Sequence, residues 1–108
     1  PRRLRIPRME QFPRRLLTIV TEALLERELL AAFEALGVRG YTITDARGKG
    51  GRGTRQSDWA QEGNVRIEIV CESALAERVA ALLRERYYDH YAMILYLQDV
   101  SVLRPDKF

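Results

Sequence analysis

Between Leu16 and Leu103 the hydrophobic pattern changes period in the order strand, helix, strand, strand, helix, strand, and nothing else in the chain constrains the fold so tightly. Residues 16–21 (Leu-Leu-Thr-Ile-Val-Thr) are short and β-branched, which favours a buried strand. The period then lengthens. Leu25, Leu29, Ala32, Phe33 and Leu36 share one helical face opposite Glu26, Arg27 and Glu34, and Gly37 is the residue type that ends a helix in the left-handed conformation. Residues 41–46 read as a second strand and run into a glycine-rich loop spanning about 47–63. Val65, Ile67, Ile69 and Cys71 alternate with Arg66 and Glu68 in a third strand. Ser73 is placed to cap a second helix with Leu75, Val79, Leu82 and Leu83 as its stripe, and residues 91–103 give a long final strand.

That order predicts an α+β domain with the ferredoxin-like βαββαβ arrangement, a four-stranded antiparallel sheet with two helices on one face. The strands also speak for the other face. Leu16, Thr18 and Val20 alternate with Leu17 and Ile19, and Met93, Leu95 and Leu97 with Ile94 and Tyr96, so both sides of two strands are largely apolar. Two helices cannot cover both, and the uncovered side is expected to join copies of the chain.

The 108 residues, 46% hydrophobic and 31% charged, suit one domain and exclude a multidomain enzyme. No apolar run approaches a membrane span, which with the lack of a signal-peptide pattern predicts a soluble, cytoplasmic protein. Cys71 and His90 are single, which excludes an internal disulfide, a cysteine-based metal site and most triad chemistry. The net charge of +3 is unevenly spread: residues 1–15 carry +5 and residues 16–108 carry −2. The first fifteen residues, with three prolines and no sustained period, read as a basic tail, with Met9 inside it as an alternative natural start.

The loop sequence Arg47-Gly48-Lys49-Gly50-Gly51-Arg52-Gly53-Thr54-Arg55 combines glycines, which let backbone N–H groups approach an anion, with cations suited to phosphate oxygens. An anion site is one reading and a solvated loop the other. It is not a Walker A motif, since the Gly-Lys-Ser/Thr ending and a following helix are both missing. Asp89, His90 and Tyr91 at a helix-to-strand corner read as structural ahead of acid–base work, and Trp59 as either ligand contact or packing.

Residues 17–22, the strand 40–44 leading into Gly48-Lys49-Gly50-Gly51-Arg52-Gly53-Thr54-Arg55, and residues 64–70 together resemble PII-like signalling proteins. The endings 87–96 and 102–108 are similar to the carboxysome-associated branch. The resemblance implies a non-enzymatic homotrimer that binds adenine nucleotide, ADP or AMP, in clefts between subunits. It also implies a response to bicarbonate and a T-loop, here about 47–63, that docks on a regulated protein such as a bicarbonate transporter or a carboxysome-related partner. By the same resemblance Thr42, Glu68 and Val70 hold the adenine, and Gly50, Gly51, Arg52, Gly53 and Arg55 the phosphates. Tyr91, Ala92 and Met93 form the adjacent cleft wall, and Arg104 reaches a phosphate from the last strand. Lys49, Arg52 and Arg55 supply the field for bicarbonate, and no metal site or catalytic cofactor is implied. The location implied is cytoplasmic, with contact to carboxysome or membrane only through a partner.

Departures from the resemblance narrow it. The turn before the last strand is Tyr88-Asp89-His90-Tyr91 in place of a Gly-Asp-Gly-Lys-like sequence, and Gly53 stands where the family places a glutamine that supports Mg-ATP with 2-oxoglutarate. The loop has no tyrosine, so uridylylation there is excluded. The alternative class is a nucleic-acid-binding module using the basic tail and the Gly-Arg loop. The RNA-recognition motif shares the topology but needs aromatics on its first and third strands, and residues 16–21 and 65–71 have none. An acylphosphatase-like hydrolase would need an anion loop after the first strand, which Glu22-Ala23-Leu24-Leu25 does not offer.

Overall fold

The computed structural model describes residues 8–49 and 63–108. The strands are β1 (Phe12–Glu22), β2 (Thr42–Ala46), β3 (Asn64–Cys71) and β4 (Met93–Val102), and the helices are α1 (Glu26–Leu36) and α2 (Ser73–Tyr87). They form one sheet in the order β2-β3-β1-β4 with every neighbouring pair antiparallel, which is the expected ferredoxin-like topology.

Alternation along the strands assigns the two faces. Leu17 and Ile19 of β1 sit opposite Ile69 and Ile67 of β3 and Leu97 and Leu95 of β4. This face packs with Leu29 and Phe33 of α1 and Val79 and Leu83 of α2 into one core. Gly37 has φ +88° and ends α1, with the amide of Val38 donating to the carbonyl of Phe33 at 2.9 Å. Cys71 is buried in the same core, and burial, reinforced by the negative charge of Glu72, raises its thiol pKa. The thiol is therefore held neutral and unreactive.

Several boundaries differ from the sequence reading. β1 begins at Phe12, inside the stretch read as a tail ending at residue 15. Residues 12–15 are ordered by pairing with Val102, Ser101, Val100 and Asp99 of β4. Arg15 adds tertiary partners there: Nε lies 3.4 Å from Asp99 and Nη1 donates to the Ser73 hydroxyl at 3.2 Å. Ser73 is accordingly the first residue of α2, not its cap. Glu72 takes the cap position and makes no side-chain capping bond. A 3-10 turn over Ala23–Leu25 precedes α1, so the first helix starts later than its periodicity suggests. Finally, Ala92 and Tyr91 lie outside β4.

The face without helices carries Leu16, Val20, Ile94 and Tyr96 on β1 and β4, with Ile94 57% and Tyr96 43% exposed. Toward β2 it turns polar, where Thr42 is opposite Glu68 and Arg66 pairs with Glu68 at 2.8 Å. Between the two halves sits Thr18, fully buried, whose hydroxyl makes no hydrogen bond among the described residues.

Candidate functional site

Thr42, Glu68 and Val70 project from one area of this open face, since Thr42 and Glu68 are cross-strand partners and Val70 follows two residues along the same side of β3. Met93 lies elsewhere. It pairs with Thr21 at the far end of β1, whereas Val70 pairs with Leu16. Five residues along the strand and two strand spacings across separate these rows, about 17 Å by about 10 Å.

Lys49 belongs with Met93. The first residues of the glycine loop curl over the sheet so that Arg47, Lys49, Asn64, Met93 and Ile94 line a cavity of about 240 Å³. Its lining combines the apolar Val20, Met93 and Ile94 with the cations Arg47 and Lys49. Asn64, 7% exposed and directly after Gly63 with φ +72°, is not among the site residues the sequence singles out; a glycine just ahead of a strand is the signal that points to it. Gly50, Gly51, Arg52, Gly53 and Arg55 lie outside the described residues.

The backbone of Ala92 is fixed at both ends. The Thr21 hydroxyl donates to its carbonyl at 2.8 Å, and its amide donates to Glu22 Oε2 at 2.8 Å. The sequence gives no hint of these partners, about seventy residues away. Because Thr21 is fully buried, Thr21→Val removes the donor and leaves a carbonyl without its bond, an expected loss of about 1–3 kcal/mol in urea unfolding. A loss within error of zero would mean the bond is dispensable.

Tyr91 is oriented by Tyr87. The rings meet edge-on with centroids 5.8 Å apart, and the Tyr91 amide donates to the Tyr87 carbonyl at 3.0 Å. The Tyr87 hydroxyl donates to Glu28 Oε1 at 3.0 Å. Burial, and then this bond to a carboxylate, raise the phenol pKa above its ordinary value of 10.0. With the folded value the higher one, the stabilisation is present below pH 10.0 and lost as pH rises through the folded value. Wild type should therefore lose stability more steeply than Tyr87→Phe as pH rises above 10.0 in parallel urea titrations. Identical slopes would show that Tyr87 titrates the same folded and unfolded.

Arg104 follows the end of β4, beyond Val102, which pairs with Phe12. The following turn leads back across the sheet end, and Phe108 lines a second cavity of about 220 Å³ together with Val70. Arg104 is thus tied to the Val70 end and remote from Lys49.

A family model described as nitrogen regulatory protein P-II matches residues 14–107. The chain belongs to this family. Among solved structures it is similar to a PII-like signaling protein from Thermus thermophilus, at 44% identity over 93% of this chain and 99% of that one, with a TM-score of 0.78. It is also similar in fold to CPII of Thiomonas intermedia bound to ADP and bicarbonate, at 22% identity over 94% and 99% of the two chains, TM-score 0.82. A structure of that protein bound to ADP, AMP and bicarbonate matches at 21% identity over 94% and 98%, TM-score 0.82. P-II membership makes the chain a signalling protein. Among the described residues no helix is long and apolar enough to cross a membrane, and no group of His, Cys, Asp and Glu side chains is gathered to hold a metal ion.

Proposed function

We propose that this P-II protein is a trimeric sensor that binds ADP or AMP between subunits, responds to bicarbonate, and signals through its T-loop to a protein of inorganic carbon uptake or fixation, as in the carboxysome-associated branch. The observation that carries the reading is the division of the site. Thr42, Glu68 and Val70 occupy one region of the chain and Lys49 and Met93 another, with Tyr91 lining a separate cavity beside Tyr87 and Glu28, so a second copy is needed to bring these sets around one ligand. The uncovered apolar half of the sheet supplies the surface for that assembly. In the assembled cleft Thr42, Glu68 and Val70 take the adenine, and Gly50, Gly51, Arg52, Gly53 and Arg55 of the loop base take the phosphates with Arg104. Lys49, Arg52 and Arg55 draw in bicarbonate. The CPII structures with ADP, AMP and bicarbonate support these ligand classes.

Signalling then needs no chemistry. A ligand that binds one loop arrangement better than another shifts their populations, with couplings of about 1–3 kcal/mol. Calorimetric titration with ADP, AMP, ATP and 2-oxoglutarate, with and without bicarbonate, tests the proposal. ADP or AMP binding that weakens in Arg52→Ala and Arg55→Ala is expected, and no binding at millimolar nucleotide would overturn it.

Nucleic-acid binding has less support. On the open face β3 presents Arg66, Glu68 and Val70, with no aromatic on which a base would stack, and β1 offers only Phe12, at its first residue.

A further inference from the structure

The turn that follows β4 does not hold itself in place. Residues 105–107 form a single 3-10 turn closed by the Lys107 amide donating to the Arg104 carbonyl at 3.1 Å and the Phe108 amide donating to the Pro105 carbonyl at 3.3 Å. A turn this short has too few internal bonds to offset the entropy of ordering it. Its order comes from two arginines far away in sequence. Arg39, in the connection between α1 and β2, donates from Nη2 to the Asp106 carbonyl at 2.9 Å. Arg14, on β1, donates from Nη2 to the Pro105 carbonyl at 3.1 Å and from Nη1 to the Pro13 carbonyl at 2.8 Å. Phe108, which lines one cavity with Arg39, Val70 and Leu75, ends the turn on the same side.

Both cations are committed to backbone carbonyls of one turn, and that turn begins at Arg104. We propose that Arg39 and Arg14 are positioning residues that clamp the 105–107 turn and so present Arg104 to the nucleotide phosphate; this rests on the nucleotide reading above. An arginine that must find its phosphate from a loose backbone loses affinity to the ordering of that backbone as well as of its own side chain. Arg39 also precedes Thr42 by three residues, so one side chain ties the turn bearing Arg104 to the start of the strand bearing Thr42. By reciprocity, a nucleotide held at Arg104 tightens the clamp.

Two measurements on the full chain test this. Amide hydrogen exchange without nucleotide reads the clamp directly: Lys107 and Phe108 should exchange faster in Arg39→Ala than in wild type, while core amides of β1 and β3 stay unchanged. ADP titration reads the consequence. Arg39→Ala should bind about three- to tenfold more weakly, Arg39→Lys, which keeps a donor, should recover most of the loss, and Arg39→Ala combined with Arg104→Ala should be no weaker than Arg104→Ala alone. Arg14→Ala should behave like Arg39→Ala. Unchanged exchange at Lys107 and Phe108 overturns the clamp whatever the ligand. Arg39→Ala binding ADP as wild type does, while Arg104→Ala binds poorly, overturns the positioning role and leaves the nucleotide reading standing. Additive losses in the double variant assign Arg39 a separate contact and also overturn it. If wild type itself binds no ADP, or Arg104→Ala binds it unchanged, the fault lies in the nucleotide reading and the positioning role falls with it.

Discussion

An Ile94→Asp variant is expected to fold but to sediment as a single chain that no longer binds ADP, where wild type sediments as three. Ile94 is 57% exposed and points away from the core, opposite Val20, so the substitution costs the isolated sheet only the strand preference of the residue, about 1 kcal/mol. In a trimer closed through this face the same carboxylate is taken out of water in every copy beside Val20. Burying a carboxylate at this contact costs several kcal/mol per site, only partly offset by Arg47 and Lys49 in the same cavity, enough to dissociate the assembly at micromolar concentration. Binding fails in consequence, because Thr42, Glu68 and Val70 are parted from Lys49 and Met93 of a neighbour. Analytical ultracentrifugation, circular dichroism and ADP titration on one sample separate the steps. A variant that remains trimeric shows that this face is not the interface. A monomer that still binds ADP with wild-type affinity shows that one chain carries a complete site.

The sheet is legible in the sequence wherever a strand alternates by itself. Val65, Ile67, Ile69 and Cys71 announce their inward face, and Gly37 announces the left-handed end of α1. The first residues of β1 are not legible. Pro13 and two arginines have no strand character, and those residues are ordered by β4, nearly ninety positions away. Ser73 misleads for a related reason. Its hydroxyl suits a cap, but the side chain of Arg15 claims it from another element. The open face is apolar on β1 and β4, as their own pattern requires, but its other half is polar because Arg66 and Glu68 pair beside Thr42.

For the site, residue types that suit anions stand out in the loop, but no local pattern shows how far Val70 lies from Met93. That follows from strand order, which a sequence leaves open until crossovers are placed. The supports of the site are equally hidden: Thr21 and Glu22 look like the end of an ordinary strand, yet they hold Ala92 by its carbonyl and its amide. Arg39 reads as a loop cation until its carbonyl partner in the 105–107 turn is seen.

Phe33→Ala is expected to cost about 3–5 kcal/mol in urea unfolding, the usual range for removing a buried aromatic ring. The ring is 1% exposed, in the core beneath the sheet, and lies 6.1 Å from the ring of Tyr41. Its loss leaves a cavity that α1 cannot close without shifting against the sheet, and a domain of this size has a total stability of only about 5–15 kcal/mol. The consequence extends to the site through the chain itself. Tyr41 is half exposed and directly precedes Thr42, so its ring contact with Phe33 ties the entry to β2, an edge strand paired only with β3, to the core. Phe33→Leu, which refills much of the volume but offers no ring edge to Tyr41, should recover most of the stability and separate the two effects. If amides of β2 then exchange faster in Phe33→Leu than in wild type while those of β1 do not, the ring contact anchors the strand that carries Thr42. If β2 exchange is unchanged, Phe33 acts through core volume alone.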